Sequence, residues 1–260
     1  MDISLEKSCL KLSLSNGIFA HLPLAENIVA VRRLGFENLE FNMKSVEKED
    51  DDSVYVAKKL IEAHGLKCLT VHAACLHVKE QNEIPTAVYY GKVSADFAHQ
   101  LSAPVLVIHS NINRRLPADL RQKFLAEIFS ELRPYAEKLR LKLALENLSY
   151  ASTGFGKNID ELEEVIRAIG GDALGVTLDF CHAEATGQTT RLLNKYHERL
   201  CNIHISNRAH TPFKEETQNL RAFLSKLKDY GYDGPLTIEL NRKCTIEEIQ
   251  KTREIIQKLI

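Results

Sequence analysis

No two of the six cysteines, Cys9, Cys68, Cys75, Cys181, Cys201 and Cys244, form a CxxC pair. Zinc ribbons and thioredoxin-like redox sites therefore lose the spacing they require. In a chain of 260 residues, cysteines so scattered are expected to be reduced and partly buried. No apolar run approaches the roughly 20 residues that cross a bilayer; stretches such as Val105-Leu106-Val107-Ile108 stop far short. The first residues, Met1-Asp2-Ile3-Ser4-Leu5-Glu6, are acidic where a secretory signal is basic and then apolar, so a cytoplasmic protein with no membrane partner is expected. Excess charge of one sign is also missing: 34 Lys and Arg face 35 Asp and Glu, a net charge of −1. That is not the balance of a nucleic-acid coat. Linkers rich in Gly, Ser or Pro are lacking, and the expectation is one domain over residues 1–260.

What is present suits a globular fold, with 44% hydrophobic and 27% charged residues. Short apolar runs alternate with longer amphipathic ones, the pattern of βα units on a parallel sheet. Eight strands are predicted: Lys11–Leu14, Asn38–Asn42, Lys67–His72, Val105–His109, Lys142–Glu146, Leu174–Asp179, Cys201–Ile205 and Leu236–Leu240. A helix-length segment follows each. Over Leu116–Leu139, Leu120, Phe124, Leu125, Ile128, Phe129 and Leu132 give one buried helical face, with Pro117 in the first turn. Another helix is predicted from Asn158 as N-cap, with Glu161 completing a capping box, to Ile169 before Gly170-Gly171. The acidic run Glu47 to Asp52 reads as a solvated helix start. Eight units in this length predict a single (β/α)8 TIM barrel of the α/β class. The runner-up, a doubly wound open sheet, lacks its glycine-rich first turn, since Leu14-Ser15-Asn16-Gly17 has one glycine.

The strand ends carry the functional signal. His72, His109, Glu146, Asp179, His204 and Glu239 each lie at or beside the C-terminal end of a predicted strand, separated by 37, 37, 33, 25 and 35 residues. In a barrel, such positions ring the mouth where active sites of this fold sit. Acids and imidazoles gathered there need a cation or tight hydrogen bonds to offset desolvation. Glu146, Asp179, His204 and Glu239 form a mixed oxygen and nitrogen set suited to Mn, Co, Mg or Zn. His182, three residues after Asp179, is open to three roles: second ligand, proton shuttle or substrate donor. His210, in the loop after His204, reads equally as a surface or a functional histidine. The loop Thr153-Gly154-Phe155-Gly156-Lys157-Asn158 reads as a turn whose amides could also cradle a phosphate.

These segments, Thr70-Val71-His72-Ala73, Val107-Ile108-His109, Leu145-Glu146-Asn147, Leu178-Asp179-Phe180-Cys181-His182, Ile203-His204-Ile205-Ser206 and Thr237-Ile238-Glu239-Leu240, resemble the xylose isomerase-like TIM barrels. That superfamily includes sugar isomerases and epimerases and endonuclease IV. The resemblance implies that Glu146, Asp179, His204 and Glu239 hold one divalent metal. It also implies that Glu146 and Glu239 exchange a proton on opposite faces of a small sugar-like carbonyl substrate, with His182 catalytic beside them and Asn147 and Arg208 binding substrate. Its second branch implies a zinc-dependent abasic-site DNA endonuclease with two or three zinc ions, recruiting His72, His109, His182 and His210; there Arg208 stands where that branch has an aspartate. Barrels of this kind also associate through their outer helices, so a homo-oligomer is an expectation as well.

Overall fold

Residues 10–46, 51–74, 77–110, 112–170 and 174–260 are described by the computed structural model. Cys9, Cys75, Glu47 to Asp50 of the acidic run and Gly171 lie outside the described residues. The strands are β1 (Lys11–Ser15), β2 (Asn38–Asn42), β3 (Lys67–His72), β4 (Val105–Ile108), β5 (Lys142–Glu146), β6 (Gly175–Asp179), β7 (Leu200–Ile205) and β8 (Pro235–Ile238). All pair in parallel with their sequence neighbours, and β1 pairs with β8 through Lys11 to Leu14 against Pro235 to Ile238, closing the barrel. The helices are α1 (Leu24–Arg33), α2 (Asp51–Ala63), α3 (Ile84–Gln100), α4 (Ala118–Lys138), α5 (Ile159–Ala168), α6 (Phe180–Ala185), α7 (Thr189–Tyr196), α8 (Gln218–Asp229) and α9 (Ile246–Leu259). The expected (β/α)8 architecture is the observed one. No helix among the described residues is long and apolar enough to cross a membrane.

Strand parity explains both the core and the site. In β4 and β5, Val105, Val107 and Ala144 form a small cluster of their own, while Leu106, Ile108, Leu143 and Leu145 join the large cluster shared with the helices. One face of each strand thus points into the barrel and the other onto the helical layer, both shielded from water. The same inward parity carries Glu40 and Asn42 on β2, Thr70 and His72 on β3, Glu146 on β5, Thr177 and Asp179 on β6 and Asn202 and His204 on β7, all of them buried.

Three local expectations change. His109 falls one residue beyond β4, and Glu239 falls beyond β8, where its N–H still reaches Ile205 O at 3.2 Å. The sixth connection is two short helices, α6 and α7, parted at Gly187, whose φ of +63° suits glycine. Asn158 caps α5 as expected, accepting from Glu161 N at 2.9 Å, but the reciprocal half of the capping box is absent. The Glu161 carboxylate instead takes the N–H groups of Gly156 and Lys157 at 3.0 and 3.1 Å. Those are the loop amides expected to cradle a phosphate, and the chain's own acid occupies them.

Candidate functional site

Four strand ends bring Glu146, Asp179, His204 and Glu239 together, one ligand atom of each lying within 4.8 Å of the others. His204 Nδ1 stands 3.2 Å from Glu146 Oε1 and 3.3 Å from Glu239 Oε2. The other nitrogen of that ring, Nε2, donates to Glu40 Oε2 at 2.8 Å, which leaves Nδ1 as the nitrogen facing the acids, the one that would give up its proton to a cation. Asp179 is divided in the same way: Oδ1 accepts from His182 N at 2.7 Å and so caps α6. Its Oδ2, like His204 Nδ1, is buried without a hydrogen-bond partner. An orphaned imidazole nitrogen and carboxylate oxygen, set among two further carboxylates, form a donor set that a divalent cation completes.

Two further clusters flank this one. His72 Nε2 and His109 Nε2 lie 3.4 and 3.0 Å from Glu146 Oε2, and the three residues form a second candidate ligand set. On the other side, His182 Nδ1 donates to Asn147 O at 2.8 Å, so its Nε2 faces His210 Nε2 at 2.9 Å. Asp179, His182 and His210 make the third set. Arg208 contributes nothing to it; Asp179 supplies the acid.

Backbone strain helps to place His210. Ala209 and His210 have φ of 59° and 53°, a left-handed pair at non-glycine residues, which costs on the order of 1–2 kcal/mol each. An antiparallel bridge between Asn207 and Thr211 and the bond from Asn241 N to His210 O at 2.8 Å hold the turn.

The electrostatics follow from burial and proximity. Burial works to raise the Glu146 carboxyl, but the His204 and His109 imidazoles outweigh it and hold it well below the usual carboxylate range. Glu239 shows the same contest, burial against His204, and settles at about 2. Asp179 goes the other way: burial raises it despite His182 and His210. For His204, burial disfavours the cation, yet the Glu40, Glu146 and Glu239 carboxylates prevail and move the ring well above its ordinary value.

Asn147 and Arg208, expected against substrate, sit otherwise. The Asn147 amide clamps the Asp179 backbone, accepting from its N–H at 2.8 Å and donating to its carbonyl at 3.1 Å. It positions Asp179. Arg208 is exposed and lines a cavity of about 350 Å³ with Phe180, Cys181 and Glu184, apart from the ligand clusters. Sequence reasoning also passed over Glu40, fully buried between Leu39 and Phe41 on β2, which accepts from Thr70 Oγ1 and Asn202 Nδ2 as well as His204. The available signal was an acid at the same strand parity as Asn42. At the mouth, a cavity of about 440 Å³ is lined by Asn42, Lys44, His210, Glu239, Asn241 and Arg242. Among the described residues, Cys68, Cys181, Cys201 and Cys244 are free thiols.

Comparison with known proteins agrees with this architecture. An uncharacterised protein of Methanocaldococcus jannaschii is 27% identical over 174 residues, 63% of this chain and 58% of its own length. The inosose isomerase of Bacillus velezensis is 26% identical over 155 residues, 54% of this chain and 55% of its own. The chain thus spans little more than half the length of these two relatives. Among solved structures, a D-tagatose 3-epimerase-like protein superposes with a TM-score of 0.82 at 21% identity, covering 96% of this chain and 97% of that one. An AP endonuclease of family 2 from Brucella melitensis does so with a TM-score of 0.74 at 18% identity, covering 92% and 95%. At these identities the superpositions speak for the fold. The family description for the xylose isomerase-like TIM barrel matches residues 28–259, and the chain belongs to that family.

Proposed function

We propose that the protein is a divalent-metal-dependent isomerase or epimerase acting on a small sugar or related polyhydroxy carbonyl compound. The observation that carries this reading is the pair Glu146 and Glu239, two acids from opposite parts of the barrel that meet one nitrogen of His204 at 3.2 and 3.3 Å. Glu146, Asp179, His204 and Glu239 would hold the ion, whose chemistry is to polarise the substrate carbonyl and stabilise the charge of an enediolate. Glu146 and Glu239 are both ionised at neutral pH, the state in which a carboxylate can remove a proton next to the carbonyl and return it. His182, its Nδ1–H fixed on Asn147 O, holds Nε2 against His210 Nε2 at 2.9 Å, an imidazole pair suited to moving a proton beside the two acids. The polar side chains of the mouth cavity, Asn42, Lys44, Asn241 and Arg242, offer hydrogen bonds to a polyhydroxylated molecule. The likeness to an inosose isomerase and to a tagatose epimerase-like protein supports the same reaction class.

The test is solvent-deuterium incorporation across a panel of ketoses and inososes with metal-loaded protein. Wild type is expected to label the carbon beside the carbonyl, and Glu146→Gln and Glu239→Gln are expected to keep the fold and abolish labelling. Full incorporation by both variants would sink the assigned roles.

A second reading, a zinc-dependent endonuclease acting at abasic DNA, is favoured by the two flanking clusters, which join the central set through Glu146 and Asp179, while His72 also groups with His204 and Glu239. It predicts two or three zinc ions per chain and incision of an abasic duplex. One divalent ion per chain by elemental analysis, with no incision by zinc-replete protein, removes it.

A further inference from the structure

On the same end of the barrel, outside the ligand clusters, a cavity of about 750 Å³ is walled by Lys79, Arg114, Arg115, Arg121, Lys157 and one acid, Glu161. These residues come from the loops after β3, β4 and β5 and from the first turns of α4 and α5. The loops form one platform: Val78 bridges Ile112, Asn113 bridges Gly154, and Arg114 N donates to Thr153 O at 3.0 Å. Asn113 is four residues past His109 and Ser152 six past Glu146, so the platform is continuous with the strand ends that carry the site.

The charges of this cavity are not balanced from within. Glu161 is spent on Arg114 at 2.6 Å and on two backbone amides. Arg121 reaches Glu164 at 3.1 Å and lies over the Phe155 ring, 4.1 Å from its centroid, yet its Nε is buried with no acceptor. Neither Arg115 nor Lys157 forms an ion pair with a described residue; the Lys157 ammonium donates to Tyr150 O at 2.7 Å. Burial and the neighbouring Arg114 charge lower the Lys157 pKa, and Glu161 offsets them only in part. Four cations from three loops and Arg121 from α4, converging on one concavity, suit a single compact dianion. A nucleic-acid strand would instead call for cations tracking across the barrel face.

We propose that this cavity binds the phosphoryl group of a phosphorylated small molecule. That the phosphoryl group belongs to the substrate rests on the sugar reading above; the anion site itself does not.

Calorimetric titration of the wild-type protein with inorganic phosphate tests the site. Binding is expected to weaken on the order of tenfold or more in the Arg115→Gln/Lys157→Gln double variant and to be retained in Glu239→Gln and in Lys251→Gln, a charge removed from the exposed surface of α9. No phosphate binding by wild type, or equal binding by the double variant, overturns the proposal. Duplex DNA that displaces phosphate from wild type and binds the double variant weakly also overturns it, in favour of a nucleic-acid surface. In turnover, the double variant is expected to raise KM for a phosphorylated sugar while leaving kcat and the KM of its unphosphorylated counterpart nearly unchanged. An equal rise for both sugars overturns the assignment to substrate. Phosphate binding without proton exchange on any sugar would remove the isomerase reading and leave the anion site standing; proton exchange without phosphate binding would do the reverse.

Discussion

Glu40 shows how much of the site depends on residues that never touch a substrate. Its carboxylate fixes His204 through Nε2 at 2.8 Å and ties in Thr70 and Asn202, while Asn202 accepts from Thr237 Oγ1 at 3.0 Å. Four strands, β2, β3, β7 and β8, are thereby joined by one polar layer beneath the ligands. A histidine ligand oriented by a carboxylate is more basic and better aimed, and losing such a partner commonly costs about 10- to 100-fold in metal affinity. Glu40→Gln is therefore expected to weaken metal binding by about that factor while keeping the fold; chelator competition with a fluorescent indicator measures it, and an unchanged affinity would refute the role. At this scale the candidate ligands were legible because each polar side chain ended an apolar strand. Glu40 was not, because in the sequence it is one acid within Asn38-Leu39-Glu40-Phe41-Asn42 and only barrel closure places it against His204 on β7. The clamp made by Asn147 was hidden for a related reason: its partner is the backbone of Asp179, 32 residues away.

At the scale of elements, β6 begins where three strands crowd. A Cβ built on Gly175 would lie 2.2 Å from Cys201 Sγ and 3.2 Å from its Cβ. Gly175→Ala is expected to destabilise by about 1–3 kcal/mol, and Cys201→Ala in the same chain to recover part of that loss; urea unfolding of the two variants checks the coupling. The loop before α5 makes a pH-dependent contribution. Burial works to raise the Glu161 carboxyl, but the Gly156 and Lys157 amides and Arg114 lower it below its ordinary 4.5. A lowered carboxyl stabilises the fold above that value and loses its effect as the pH falls through the folded-state value. Glu161→Gln should accordingly be less stable than wild type at pH 7, the gap closing in acid; a gap that stays constant down to pH 3 would contradict this. The helix start at Asn158 was readable from sequence, since capping is local. The use of the Glu161 side chain was not, because Arg114 reaches it from 47 residues away.

For the molecule as a whole, four carboxylates, Glu40, Glu146, Asp179 and Glu239, and several imidazoles sit at one end of a closed barrel, and their desolvation opposes folding unless a cation or protons offset it. A ligand bound only to the folded state adds about 2.7 kcal/mol at a concentration 100 times its Kd. Chelation is expected to lower the thermal midpoint with no loss of helical signal by circular dichroism, and Glu239→Gln to shrink that chelator-dependent step. A midpoint indifferent to chelator in wild type would argue against a resident ion.

The sequence by itself determined the order and number of the βα units and which polar side chains stand at the strand ends. Both are written in short-range patterns: apolar runs, caps, and polar residues at the ends of strands. Closure of the barrel decided what those residues become. It set Glu40 against His204, turned His182 onto His210, left Arg208 exposed beside α6, and gathered cations from three separate loops into one cavity. Those pairings join residues 28 to 164 positions apart, and nothing in local periodicity encodes a contact that exists only once β1 has met β8.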